Sequence, residues 1–278
     1  MSARLRVAQA LAYFGMAAIS LAFVYPYWWM VVSSLRRTQD VLSAPLRLLP
    51  ERFDFSAYAQ IGRIGGIPLT QFAWNSLVVT VASTAVAVIV TALAAYALSR
   101  WPWLKGLQLI RYGFLLTIMY PYMLLLIPVY LVMHRLGLLG SYTGIVLFLS
   151  LGPIQFFLFD QFFRSIPKEL IEAALVDGAG EWQVLWRVVM PMARSVVGTV
   201  TLVTFLLNWA QWFPVIVIST APETYTLPAA LLLLNTELGA SFQAILALAT
   251  VTTLPVVAVF LLTQRRVIEG FAAGAVKG

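Results

Sequence analysis

The sequence predicts an all-α polytopic membrane protein. It has six transmembrane helices and a cytoplasmic helical loop between the fourth and fifth. Three observations carry that reading: a composition too apolar for water, six apolar stretches of bilayer length, and one long polar interruption late in the chain. Of 278 residues, 61% are hydrophobic and only 10% are charged. The mean hydropathy is +0.89. Soluble domains carry roughly 25% charged residues. This chain has too little polar surface to cover a globule, whereas lipid solvates apolar side chains directly.

A helix needs roughly 20 apolar residues to cross the hydrocarbon core. The stretches 7–35, 72–98, 107–133, 142–163, 196–218 and 242–263 meet that length. The first exceeds the roughly 7–15 apolar residues of a signal-peptide core and reads as a retained span. Between the first two lies segment 36–71. It carries Pro45, Pro50 and Pro68 with Phe53, Phe55 and Tyr58, and reads as ordered. Pro26, Pro121, Pro128, Pro153, Pro214 and Pro255 fall within the spans. Each removes a backbone donor and can kink its helix. Residues 1–278 read as one transmembrane domain, with no repeat or low-complexity tract.

Orientation follows from Lys and Arg in the loops. With both termini in the cytoplasm, twelve of the basic residues lie inside and six outside, five of the six in segment 36–71. The net charge of +7 is therefore an orientation signal rather than a nucleic-acid footprint. The chain has no cysteine and a single histidine, His134, so no metal centre is expected.

The most informative segment is the loop 164–191. Pro167 suits the start of a helix, and Glu169 and Glu172 in the early turns complement the helix dipole. Leu170, Ala173 and Ala174 fall at helical spacing and would share a face. Gly178 can end the helix in a left-handed conformation. The spacing predicts a short amphipathic helix, a turn over 178–180, and a second helix through Trp182, Trp186 and Val189. An alanine face with acidic ends suits a groove on another protein. A helix lying on anionic lipid would favour Lys and Arg instead.

Glu172, Ala173 and Ala174, then three residues, Gly178, nine residues, Val188, and Met190-Pro191 resemble the EAA loop of ABC importer permeases. Val188 and Met190 stand where that family has Ile and Leu. Trp74 to Leu77, Ala94 to Arg100, and the end from Gln264 to Gly278 resemble the second permease of maltose-type carbohydrate importers. The resemblance implies a non-catalytic permease subunit that moves a sugar or oligosaccharide inward by alternating access. It implies a second, unlike permease, two ATPase subunits using ATP and Mg²⁺, and an extracytoplasmic solute-binding protein, in a bacterial-type inner membrane. Glu172, Ala173, Ala174, Asp177 and Gly178 would contact the ATPase. The tail Gly274, Ala275, Val276, Lys277 and Gly278 would reach between the ATPase subunits. The chain lacks a Gly-x-x-x-x-Gly-Lys-[Ser/Thr] loop, so no cofactor is expected on it and nucleotide would be hydrolysed elsewhere.

Polar residues within a span are candidates for a solute path. Asn208 and Gln211, flanked by Trp209 and Trp212, suit sugar hydroxyls and rings. Interhelical hydrogen bonding is the simpler account of them. The same ambiguity covers Asn75 and Gln155. Asp160 reads as an i,i+4 partner of Arg164. The alternatives are a permease for a related solute such as glycerol phosphate, or an ion-coupled secondary transporter. The latter needs ionisable groups deep in the membrane, and the span centres carry none.

Overall fold

Backbone N–H and C=O groups in lipid must find partners within the chain, and helices provide them. The computed structural model describes residues 3–150, 152–237 and 242–275, without the side chains of 3–8, 122, 235–237 and 265–275. In chain order the elements begin with α1 (Ala3–Ser34), α2 (Thr38–Ser43), α3 (Ser56–Gln60), β1 (Arg63–Ile64) and β2 (Ile67–Pro68). There follow α4 (Leu69–Arg100), α5 (Lys105–Met119), α6 (Tyr122–Arg135), α7 (Tyr142–Leu149), α8 (Pro153–Arg164) and α9 (Lys168–Val176). Then come α10 (Glu181–Val184), a π-helical turn (Leu185–Val189), α11 (Met190–Met192), α12 (Arg194–Trp209) and α13 (Phe213–Ile218). A short 3₁₀ turn (Pro222–Thr224), α14 (Leu227–Glu237) and α15 (Phe242–Ala275) complete the chain.

Among the described residues three helices are long and apolar enough to cross a membrane: Gln9–Ser34, Leu69–Arg100 and Phe242–Gln264. The number rises to five if α7 with α8, and Glu181–Met192 with α12, each count as one bent span.

The prolines explain the breaks. Stretch 107–133 is two helices, α5 and α6. Between them Tyr120 is extended, at φ −88° and ψ 134°. A following proline disfavours the helical region for the residue before it, and α6 starts just beyond Pro121. Pro153 and Pro214 stand in the first turns of α8 and α13, where a missing N–H costs nothing. Pro26, Pro128 and Pro255 are carried inside helices that continue through them.

The chain forms two compact units. One comprises Met1–Thr70 with Ala230–Leu254, the other Gln71–Ala229 with Pro255–Gly278. In the first, the segment after α1 is ordered. Val41, Ala57, Ile61 and Ile64 are buried. β1 and β2 pair Arg63 with Pro68 and Ile64 with Ile67. Gly65 and Gly66 take φ of 59° and 77° between them, as a tight hairpin turn with two left-handed residues requires. Gln243 donates to the carbonyls of Ser34 at 3.4 Å and Asp54 at 3.2 Å.

The second unit has two apolar cores. In one, Val79 of α4 meets Ile145 and Phe148 of α7 with Val215 and Ile218 of α13. In the other, Ala92, Ala95 and Leu98 of α4 meet Phe156, Phe159 and Phe163 of α8, and Phe114 of α5 stacks on Phe156 at 4.3 Å. Asn75 donates to the carbonyls of Glu223 and Tyr225, both at 2.8 Å, and accepts from the Tyr142 hydroxyl at 2.6 Å. It therefore serves as a joint between elements.

Candidate functional site

The loop 164–191 is built onto the second of these cores. α9 covers Lys168–Val176, with Pro167 immediately before it. It ends in a Schellman arrangement. The Gly178 N–H donates to the Leu175 carbonyl and the Ala179 N–H to the Ala174 carbonyl, both at 3.0 Å. Gly178 has φ +85°, the left-handed conformation that glycine adopts at no steric cost.

One correction concerns the faces of α9. Leu170, Ala173 and Ala174 do not share one. Ile171 is 7% exposed and buried in the core, and Ala174, three residues on, packs against the same core. Ile171 buries its apolar side chain there, and the helix is rotated so that it and Ala174 face the core. Leu170, Glu172, Ala173, Val176 and Asp177 are consequently exposed. The outer face thus combines two carboxylates with small and apolar side chains.

The second helix is fastened to α4. Val184 and Leu185 enter the same core as Ile171. Glu181 receives three hydrogen bonds from α4: Tyr96 Oη to Oε2 at 2.8 Å, Arg100 Nε to Oε2 at 3.3 Å, and Arg100 Nη2 to Oε1 at 2.8 Å. Charge-assisted, bidentate contacts of this kind are strong and directional. The Arg100 hydrogen bonds hold the Glu181 carboxyl below the usual carboxylate range. Beside this latch, Leu93, Ala97, Trp101, Trp182 and Leu185 line an apolar hollow.

Past the latch the helix widens. The Met190 N–H bonds to the Leu185 carbonyl, five residues back. Pro191 has no N–H to give and would press on the carbonyl of the preceding turn, and a π turn accommodates it. At Ala193 the direction changes by 77° into α12.

A buried carboxylate, Asp160, braces α8. Asp160 accepts from Arg164 Nε at 2.8 Å, as the i,i+4 spacing predicts. It also pairs with Arg111 Nη2 of α5 at 3.3 Å, which no local spacing predicts.

The remaining candidate residues are dispersed. Asn208 is 7% exposed and donates to Ser83 Oγ of α4 at 2.9 Å, an interhelical bond. Trp209 is buried and stacks on Phe205 at 5.8 Å. Gln211 and Trp212 lie in the break between α12 and α13, and Trp212 is exposed. Gly274 and Ala275 are the last residues of α15. Val276, Lys277 and Gly278 lie outside the described residues.

Sequence reasoning missed Ile171 as the anchor and the triad of Tyr96, Arg100 and Glu181. Helical spacing could have placed Ile171 and Ala174 together. The triad spans 81 to 85 positions and leaves no local signal.

Comparison with known proteins agrees with this architecture. Residues 87–269 match the family described as "Binding-protein-dependent transport system inner membrane component". The chain is 30% identical to the inner membrane ABC transporter permease protein YcjP of Escherichia coli K12, over 96% of this chain and 95% of that one. It is 30% identical to the diacetylchitobiose uptake system permease protein NgcG of Streptomyces coelicolor, over 92% of this chain and 84% of that one. It also superposes on a chain of a crystal structure of a bacterial ABC transporter involved in the import of the acidic polysaccharide alginate. That match has a TM-score of 0.78 and 25% identity, over 95% of this chain and 98% of that one. The matched region contains α9, the latch and the bent helix beyond them. The chain therefore belongs to the family of binding-protein-dependent transport system inner membrane components, and is a multi-pass permease subunit of an ABC importer.

Proposed function

We propose that this chain moves a sugar or oligosaccharide into the cytoplasm, as one of two unlike permeases driven by a separate pair of ATPase subunits that use ATP and Mg²⁺. The observation that carries the mechanism is the two-sided build of α9. Ile171 and Ala174 tie the helix to the core, while Glu172, Ala173 and Asp177 face outward. A docking helix needs both sides: one to receive a push and one to transmit it. The outer carboxylates would pair with basic groups on the ATPase. Gly178 would let the chain turn without enlarging the contact, and Gly274 to Gly278 would extend toward the ATPase pair. Both termini are cytoplasmic in this reading, in keeping with the loop charges, and the stretches 107–133, 142–163 and 196–218 each cross the bilayer as broken spans. The sugar reading draws support from the named substrates of the relatives. An extracytoplasmic binding protein would deliver the solute, and Asn208, Gln211, Trp209 and Trp212 would border its path.

The test is co-purification in mild detergent. The wild type is expected to retain a second permease and an ATPase. A Glu172→Lys, Gly178→Asp double variant is expected to keep the permease and lose the ATPase. A wild type that purifies alone and transports solute on an ion gradient would overturn the proposal.

A further inference from the structure

The segment after α1 is folded back onto the end of that helix. Trp28 donates its indole N–H to the Leu48 carbonyl at 3.0 Å, and Trp29 donates its own to the Pro45 carbonyl. Residues 45–48 are thereby held level with the two indoles. Tryptophans at the end of a spanning helix sit at headgroup depth. At that level Leu46, Leu48 and Leu49 are each more than half exposed, with Arg47 among them. Apolar side chains interleaved with arginine are the composition of a surface that lies in the membrane interface.

Adjoining this strip is a cleft of about 520 Å³, lined by Arg36, Arg37, Arg47 and Arg52 together with acidic groups. Arg37 pairs with Asp54 at 3.4 Å, and Arg47 with Glu51 at 2.6 Å. Arg36 and Arg52 have no ion pair among the described residues. Arg36 weighs most, because it is only 2% exposed. Its Nη2 donates to the carbonyls of Asp40 and Ala44, and its Nη1 has no hydrogen-bond partner among the described residues. Asp40, Glu51 and Asp54 line the same cleft, but none of them forms an ion pair with Arg36 among the described residues, and a buried guanidinium without a paired counter-ion is expensive. An anion seated above it would relieve that cost.

We infer that this cleft binds the phosphate of an anionic phospholipid in the leaflet at the C-terminal end of α1. Arg52 and Arg47 meet the phosphate oxygens from the rim. Arg36 supplies positive potential from below, and Leu46, Leu48 and Leu49 sit among the acyl chains. Guanidinium groups suit phosphate because their donors form a planar fork. The inference needs only that α1 lies in lipid, and stands apart from the transport reading.

The test measures thermal unfolding of the purified full chain in mild detergent, with phosphatidylglycerol, phosphatidylcholine or inorganic phosphate added. Phosphatidylglycerol is expected to raise the wild-type midpoint by about 3 °C, and the other two by much less. An Arg47→Gln, Arg52→Gln double variant, altered only at exposed positions, is expected to melt at the wild-type temperature without lipid and to lose most of the rise. Equal stabilisation by phosphatidylcholine overturns the inference, and so does a rise that the variant keeps. A rise produced equally by inorganic phosphate would make this an anion site rather than a lipid site. A variant that keeps its lipid response but loses its response to a binding protein would assign the surface to that protein instead.

Discussion

α1 and α4 are both 32 residues long and both apolar. Yet α4 buries 39% of its membrane window and α1 buries none of its own. Hydroxyl-bearing side chains separate them more than size does, because α1 also carries Ala10, Ala12, Ala17 and Ala18 and leaves them exposed. α4 buries Ser76, Thr80, Ser83, Thr84, Ala87, Thr91, Ala92 and Ala95, small residues that let other helices approach closely and hydroxyls that can bond across. α1 presents Leu11, Phe14, Leu21 and Phe23 outward. In lipid, apolar character does not sort inside from outside, because the solvent is as apolar as leucine. Here the hydroxyls of α4, set among small side chains, do the sorting.

The sharpest way to break that contrast is to exchange the sizes. Ala95 is fully buried. Ala95→Phe is expected to lower stability by about 3 kcal/mol through overpacking, while Phe14→Ala in α1 should change it by less than about 0.5 kcal/mol. Thermal unfolding in detergent reads both. Comparable losses from the two would erase the distinction.

Next in size is the ionic latch at the end of α4; the end of α1 is fastened instead by the neutral bonds of Trp28, Trp29 and Ser34. Arg100→Gln is expected to cost about 1 to 2 kcal/mol, since bonds to a charged group are worth roughly 1.5–3 and this one is partly exposed. Adding Glu181→Gln should cost little more, because the two substitutions remove the same interaction. In proteoliposomes, transporters assembled with either variant and their ATPase subunits should hydrolyse ATP while moving less solute per turnover. Unchanged coupling would reduce the latch to a structural contact.

Smaller again is the Asn208 to Ser83 bond. Asn208→Leu should cost about 0.6 kcal/mol, the usual worth of a hydrogen bond between spans. Stability that holds while uptake fails would move Asn208 from the helix joint to the solute path.

The smallest effect is on pH. Because the folded Glu181 carboxyl lies below its ordinary value of about 4.3, the latch is at full strength above that value. It weakens as pH falls through the lower, folded value. Glu181→Gln should remove that part of the acid sensitivity and leave the neutral range flat. Melting curves at stepped pH would reveal it.

These differences also mark how far the sequence could be read. The limits of α9 and the left-handed turn at Gly178 were legible, because caps and glycines act within a few residues. The helix breaks lie at prolines that were visible in advance. Which proline would break a helix and which would be carried through was not visible, since that depends on neighbours that satisfy the freed carbonyls. Spacing grouped the residues of α9 but could not choose the buried face. That choice rests with Ile171 and a core assembled from α4 and α8. Arg100 with Glu181, and Arg111 with Asp160, join residues 81 and 49 positions apart, beyond any local pattern.

The corner at Gly178 has a stereochemical consequence. Among the described residues, no heavy atom apart from its chain neighbours lies within 4 Å of where a Cβ would stand, so they leave room for a side chain there. What it forbids is handedness. L-alanine would carry a penalty of about 1 kcal/mol for the left-handed backbone. D-alanine, introduced by semisynthesis, is at home in that conformation and adds the same methyl group. The pair of enantiomers thus separates the two demands on this position. Shared loss of docking would mean that a partner surface needs the space, and loss with L-alanine alone would mean that the corner needs only its mirror-image turn.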